Sequence, residues 1–411
     1  MPGLGLKSAQ AANFTPYEGP FFITIQTDGG WDVTSFCDPK DNTTINHWAD
    51  TGSVQTIANS PIEYAPFAKN AELFPAHHDK MLIVNGIDTQ TNAHQAGVRH
   101  SWSGRFAEGY PAFTALAAAI YGEGLPLAFL SNGGYRETAG LLPYTLMSNP
   151  SALSNLIDPN AHRDWGAENF HATAQYDIIN NFRAQRITRQ QQQAQILPRT
   201  TGALTNLESA LAAGDQLTRL ETHIPETLVD PTSMGDEWNP LLRQAQLALA
   251  SCKAGLTVSA DLLCYGFDTH ANHDPLHIES LNVLINGVNY LWAEAERLNI
   301  ADQLIVFITS DFGRTPEYND GDGKDHWPIT SAIFMQQGAT WANQVVGLTD
   351  NGHNAYGLNS GLTPVAVGEG INIQPKHVQQ ALRSLAGISD HPICQSFDLD
   401  AEDLNLAAMF G

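Results

Sequence analysis

Positive charge is what this sequence lacks most: 20 Lys and Arg stand against 43 Asp and Glu, for a formal net charge of −23 with histidine neutral. Proteins hold nucleic acids chiefly through the phosphates, and no basic stretch here could track them, so a nucleic-acid partner is not expected. Cysteine is scarce as well. Cys37, Cys252, Cys264 and Cys394 form no Cys-x-x-Cys pair and show no zinc-finger spacing, which leaves either three ways of pairing them or buried free thiols. No apolar run reaches the roughly 18 residues that a membrane span needs. There is also no internal repeat and no long linker. With 43% hydrophobic and only 15% charged residues over 411 positions, the chain is globular and long enough to bury a large core.

The first residues, MPGLGLKSAQAANF, have neither a charged region nor a full apolar region, yet Ala9-Gln10-Ala11 has the small-x-small form of a signal-peptidase site. Residues 1–20 therefore read as the trailing edge of an export signal, which implies a periplasmic or extracellular protein; a flexible Ala/Gly tail is the alternative. The acidity suits such a setting and favours cation uptake, although solubility accounts for it equally well.

Aliphatic and β-branched runs predict strands over 21–27, 81–87, 125–130, 256–265, 304–308 and 329–335. Helices are expected over 62–73, 111–121, about 277–298 and near 377–386, with an acidic tail beyond. Between 139 and 255 strand signals vanish and Phe170, Ala174, Ile178 and Phe182 recur at helical spacing, so this region reads as a helical insertion. Helices near 203–220 and 240–253 and a solvated, Gln-rich face at 190–195 are expected within it, forming a cap or a surface for a protein partner. The economical reading is one α/β domain over 21–411 whose central sheet is sandwiched by helices.

Four predicted strands end in metal-type donors. The first is followed by Asp28-Gly29-Gly30-Trp31-Asp32, the second by a polar segment holding Thr89, Thr91, His94 and Ser101 that shows little helical periodicity. Another runs into Asp268-Thr269-His270, where two-residue spacing on extended backbone puts both donors on one side. His273 and Asp274 follow and either join the same metal or cap the next helix, capping being the reading for Asp274. The run at 304–308 leads to Ser310, Asp311, Gly313 and Arg314, then through a Gly/Asp loop to Asp325-His326-Trp327. A lone histidine near a strand is usually structural, but ligands gather beyond the carboxyl ends of strands in α/β sheets, and the donors taken together point to a carboxylate/imidazole metal site. Asp28, Asp32, Asp268, His270, Asp311 and His326 are the candidate ligands, and a donor set without thiolate suits zinc or manganese. Arg314 has the fork to grip a phosphate or sulfate oxygen, or else pairs with Asp311 or Asp325. The acidic loop 319–325 offers oxygens to calcium but lacks the EF-hand spacing.

Strand-Gly-Gly-x-Asp, Asp-Thr-His and Ser-Asp-Phe-Gly-Arg-Thr-Pro followed by Asp-His resemble the secreted bacterial family catalogued as domain of unknown function 1501, grouped with alkaline phosphatases and sulfatases. The resemblance runs from about Phe21 to Met335 and implies an alkaline-phosphatase-like, mostly parallel α/β sandwich and twin-arginine export. It implies one metal on Asp268, His270 and His326, and a second on Asp311 with Asp28 or Asp32. The nucleophile would fall near His94, with Thr91, Thr89 and Ser101 as the available hydroxyls. This chain departs from the superfamily in having Phe312 where a metal-binding histidine follows the late Asp, and Ala93 just before His94. No sulfatase Cys signature is present. Two readings follow: a metal-dependent hydrolase of phosphate or sulfate esters, acting on small anionic molecules or polysaccharides, with Arg314, His94 and Thr91 as catalytic candidates; or an exported binding or assembly protein that keeps the fold and a structural cation.

Overall fold

The computed structural model describes residues 15–147, 160, 169–193, 197, 200–201, 203–204, 207, 214–225, 227–235, 238–366 and 368–411. The signal-like Ala9-Gln10-Ala11 and parts of the 139–255 region lie outside them.

Twelve strands occur among the described residues: β1 Phe21–Thr27, β2 Gln55–Thr56, β3 Glu63–Tyr64, β4 Met81–Asp88, β5 Phe129–Ser131, β6 Thr145–Leu146, β7 Ser259–Cys264, β8 Leu304–Ser310, β9 Gly313–Arg314, β10 His326–Trp327, β11 Ile329–Gln336 and β12 Gln344–Val346. Eight of them form one sheet in the order β12-β4-β11-β8-β1-β7-β5-β6. All its pairings are parallel except those of β11, which runs antiparallel to both β4 and β8. This is the mixed α/β, mostly parallel architecture expected from the sequence.

The central strands β1, β7 and β8 are buried along their whole length and covered on both faces, with the polar Thr24, Gln26 and Asp261 enclosed among their apolar residues. Successive side chains alternate between two cores. Phe21, Ile23 and Ile25 pack with Leu241, Leu249, Leu284, Val288 and Trp292 of the helices Pro240–Lys253 and His273–Arg297. On the opposite face, Phe22 and Phe307 pack with Phe113, Leu116 and Leu382. Helices α1 Asn70–His77, α2 His94–Ser103 and α3 Phe113–Tyr121 complete the N-terminal half.

Several expected elements are displaced. Pro66 disfavours helix at the residue before it, so the chain is extended as β3 at Glu63–Tyr64 and α1 begins only at Asn70. Pro126 likewise delays β5 to Phe129. The segment read as aperiodic is the helix α2, with no cap side chain to announce it. The 139–255 region is not strand-free, because β6 extends the sheet beside β5, and its last helix, Pro240–Lys253, belongs to the core. Within the same region the structure describes helices Thr173–Gln191 and Gly214–Glu221. The C-terminal tail is folded back, with Leu404, Leu406 and Met409 buried in the second core. All four cysteines are free and buried. No helix among the described residues is long and apolar enough to cross a membrane.

Sheet direction decides where function sits. β1, β4, β7 and β8 all end at one edge, with Thr27 in register with both Cys264 and Ser310. The reversed β11 begins at that same edge, Ile329 pairing with Asp88, so the loop before it delivers His326 to where its neighbours deliver Asp28, Asp268 and Asp311.

Candidate metal centre

Past the end of β7, Asp268 is the point on which the other side chains converge. The ligand atoms of His94, Asp268 and His326 all lie within 4.8 Å of one another. His270 Nε2 adds to them, 3.0 Å from Asp268 Oδ1 and 2.9 Å from His326 Nε2.

The ring tautomers are fixed from behind. His326 Nδ1 lies 2.7 Å from the Asn92 carbonyl oxygen, which can only accept, so that nitrogen carries the proton. His94 Nδ1 donates to Asp311 Oδ2 at 2.6 Å and His270 Nδ1 to Asp325 Oδ1 at 2.6 Å. In its neutral form each ring then keeps a bare Nε2 lone pair, and all three Nε2 atoms face Asp268, that of His94 at 3.5 Å from Oδ2 and that of His326 at 3.2 Å from Oδ1. Acceptors brought this close repel unless a cation lies among them. Backing each ligating imidazole with a carboxylate or carbonyl is how proteins orient metal-binding histidines, so the donor set fits a divalent ion.

Electrostatics reinforce the arrangement. Burial works to raise Asp268, but the hydrogen bond and positive charge of Arg314 outweigh it and hold the carboxyl at about 2. The Asp311 hydrogen bond raises His94. Asp28 is raised by burial and by the negative Asp311 nearby. It lines a cavity of about 330 Å³ together with Gly29, His94, Gly266 and Asp268.

Close backbone packing makes this convergence feasible. A Cβ on Gly97 would lie 2.7 Å from the Asp311 carbonyl oxygen, so only glycine lets α2 press its N-terminus, and with it His94, against the end of β8. Phe312 is fully buried and backs the cluster, its ring 4.8 Å from that of His94 and 4.4 Å from that of His326.

The remaining candidates go elsewhere. Arg314 is wholly buried; Nε donates to the Gly30 carbonyl at 2.8 Å, Nη1 to that of Lys324 at 2.9 Å, and Nη2 to the Gly29 carbonyl and to Asp268 Oδ1. Its fork is therefore spent on orienting Asp268. Asp32, expected as a ligand beside Asp28, turns inward instead and accepts from Thr34, Ser35, His273 and Lys324. The Thr91 hydroxyl accepts from the Ala93 N–H at 3.2 Å, that of Thr89 donates to the Pro328 carbonyl at 2.9 Å, and that of Ser101 to the Asp311 carbonyl at 3.2 Å. Asp274 is no cap: the helix starts on Asn272 in the left-handed region, and Asp274 accepts from the Tyr318 hydroxyl at 2.6 Å.

Sequence reasoning missed Lys324, buried in a Gly/Asp loop that reads as solvent-exposed, and His277 behind it, while His273, weighed as a further ligand, turns to Asp32 at 3.1 Å. The i, i+4 spacing of those histidines was the one available signal.

The family described as "Protein of unknown function (DUF1501)" matches residues 22–359. No curated relative matches the sequence. Among solved structures the chain is similar to the alkaline phosphatase from the Antarctic bacterium TAB5, at 10% identity and a TM-score of 0.32 over 80% of this chain and 95% of that one. It is similar also to the lipoteichoic acid synthase LtaP from Listeria monocytogenes, at 8% identity and a TM-score of 0.37 over 92% and 74% of the two chains. A 2-O GAG sulfatase gives 11% identity and a TM-score of 0.34 over 92% and 72%. Likeness at this depth says nothing of substrate.

Proposed function

Since the chain belongs to the DUF1501 family, whose description assigns no activity, its function has to be read from the site, and we propose a hydrolase of phosphate or sulfate esters that depends on a divalent cation. One observation carries this reading: three imidazoles, each with Nδ1 committed to an acceptor, aim Nε2 at a single ionised carboxylate, Asp268. Asp268, His326, His270 and His94 would hold the ion. A mixed nitrogen and oxygen set favours zinc or manganese over calcium, which prefers oxygen alone.

A bound ion would supply a Lewis acid for an ester oxygen and lower the cost of placing an anion among Asp28, Asp268, Asp311 and Asp325. The chain's own residues do the rest. Arg314 fixes the Asp268 carboxylate, Asp311 and Asp325 fix two of the rings, and the cavity beside Asp28 receives the substrate. Water is the nucleophile in this reading, because the hydroxyls of Thr89, Thr91 and Ser101 are bound to backbone groups.

That same absence of a free hydroxyl among these three favours a second reading, an exported binding protein that retains the cation. Elemental analysis of purified protein, followed by assays on nitrophenyl phosphate and sulfate with and without chelator, separates the two. The hydrolase reading expects stoichiometric zinc or manganese, ester cleavage abolished by chelation, and loss of both cleavage and metal in Asp268→Asn. Protein that binds no cation refutes both readings, and protein that binds it but cleaves neither ester supports the second.

A further inference from the structure

Behind the metal centre lies a second cluster of charge that no role so far uses. Lys324 and Asp32 are both completely shielded from solvent, with Lys324 Nζ 2.7 Å from Asp32 Oδ2. The ammonium also donates to Asn46 Oδ1 at 3.1 Å, and His273 Nε2 lies 3.1 Å from the same Asp32 oxygen. His277 Nε2 accepts from the Asp32 backbone N–H at 3.0 Å. Burial works to raise Asp32, but the Lys324 ammonium and His273 hold its carboxyl well below the usual carboxylate range.

A buried ion pair is a poor source of net stability, because desolvating both charges offsets most of their attraction, whereas removing one partner alone is costly. Its geometry is more informative than its energy. The Lys324 backbone N–H donates to the Thr269 carbonyl at 3.1 Å, and its own carbonyl accepts from Arg314 Nη1, whose Nη2 grips Asp268. The next two residues are Asp325, which orients His270, and His326. One residue thus ties the loop after β1 through its side chain, the loop after β7 through its N–H, and the segment after β8 through its carbonyl. The loop's other ties come from exposed or half-buried residues: the Gly321 and Asp322 carbonyls accept from the Asn272 and His273 N–H groups at 3.1 and 2.8 Å, and Asn319 Nδ2 donates to the His270 carbonyl at 3.0 Å, whereas Lys324 brings a wholly buried charge. Gly323 lets the loop seat, since a Cβ there would lie 1.9 Å from the His270 carbonyl oxygen.

We propose that Lys324 is a positioning residue, a buried ammonium that latches the 315–326 loop to Asp32 so that Asp325 and His326 reach His270 and Asp268. This rests on the metal-centre reading for its purpose, but the latch is a separate claim about the loop. The test uses metal-free full-length Lys324→Met, with the double variant Asp32→Leu/Lys324→Met, which leaves no uncompensated charge, in case the single variant does not fold.

Hydrogen exchange is expected to accelerate in peptides covering 268–273 and 315–326, while those covering β1 and β8 stay protected. Zinc titration of the same folded samples is expected to show affinity weakened roughly ten- to a hundredfold, the usual consequence of losing a group that orients metal ligands. Unchanged exchange in 315–326 overturns the proposal. So does a loss of affinity no larger than the fraction of unfolded molecules accounts for. If wild-type protein takes up no zinc, the metal reading fails while the exchange result still decides the latch.

Discussion

Asp261 on β7 offers a quantitative test of how the sheet treats a carboxyl group. It is wholly buried; Thr24 and Thr114 donate to Oδ1 at 2.7 and 2.8 Å, and Oδ2 has no hydrogen-bond partner. Burial pushes its carboxyl from 3.8 up to about 7. Because the folded value is raised, the contribution to stability is fully present below the unfolded value, near pH 4, and is lost as pH rises through the folded value, near pH 7. A gap of roughly three pH units, at about 1.4 kcal/mol each, amounts to about 4 kcal/mol.

The variant to make is Asp261→Asn, which keeps an acceptor for the two threonines and cannot ionise. Its new amide is buried without a partner, an offset of about 1–3 kcal/mol that does not vary with pH. Other groups titrate over the same range; His100 and His353 are both lowered to about 4 by burial. Only the difference between variant and wild type is therefore diagnostic. Denaturant unfolding of metal-free protein at several pH values between 4 and 8 should show the variant gaining on wild type by about 4 kcal/mol across that window. A difference that stays constant within about 1 kcal/mol would refute the argument that this carboxyl is held neutral.

Gly323→Ala forces the 315–326 loop away from the His270 carbonyl, so zinc affinity should fall while β8 keeps its exchange protection; undiminished affinity would mean the close approach is dispensable. Gly97→Ala should push α2 and His94 off the end of β8 and lower both metal affinity and any esterase rate, measured side by side. Arg314→Lys loses the planar fork and strands at least two buried carbonyls, for which denaturation should record a loss of about 3 kcal/mol or more.

The central strands were readable because aliphatic, aromatic and β-branched residues dominate them, even where Gln26 and Asp261 interrupt the run. The convergence of Asp268, His270, His326 and His94 followed from strand ends carrying donors. What the sequence could not convey was the direction in which a carboxylate turns. Asp28 and Asp32 are four residues apart in one Gly-rich turn, yet one lines the cavity and the other faces inward, because the cation that claims Asp32 comes from nearly 300 positions away, at Lys324. Helix α2 was hidden for a related reason: Gly97, which weakens helical propensity, is there for packing. Pro66 and Pro126 mark in the sequence itself where α1 and β5 are delayed.

The reversed course of β11 constrains how this architecture could diversify. The peptide that carries His326 to the mouth threads directly into the middle of the sheet, where both neighbours hold its register. Added or deleted residues between Lys324 and Ile329 would slide that strand and turn its inner side chains outward. Lineages selected for new substrates would instead be expected to vary the exposed side chains near Asp320 and to keep the length of the tip, because the Gly321 and Asp322 carbonyls accept from the Asn272 and His273 N–H groups.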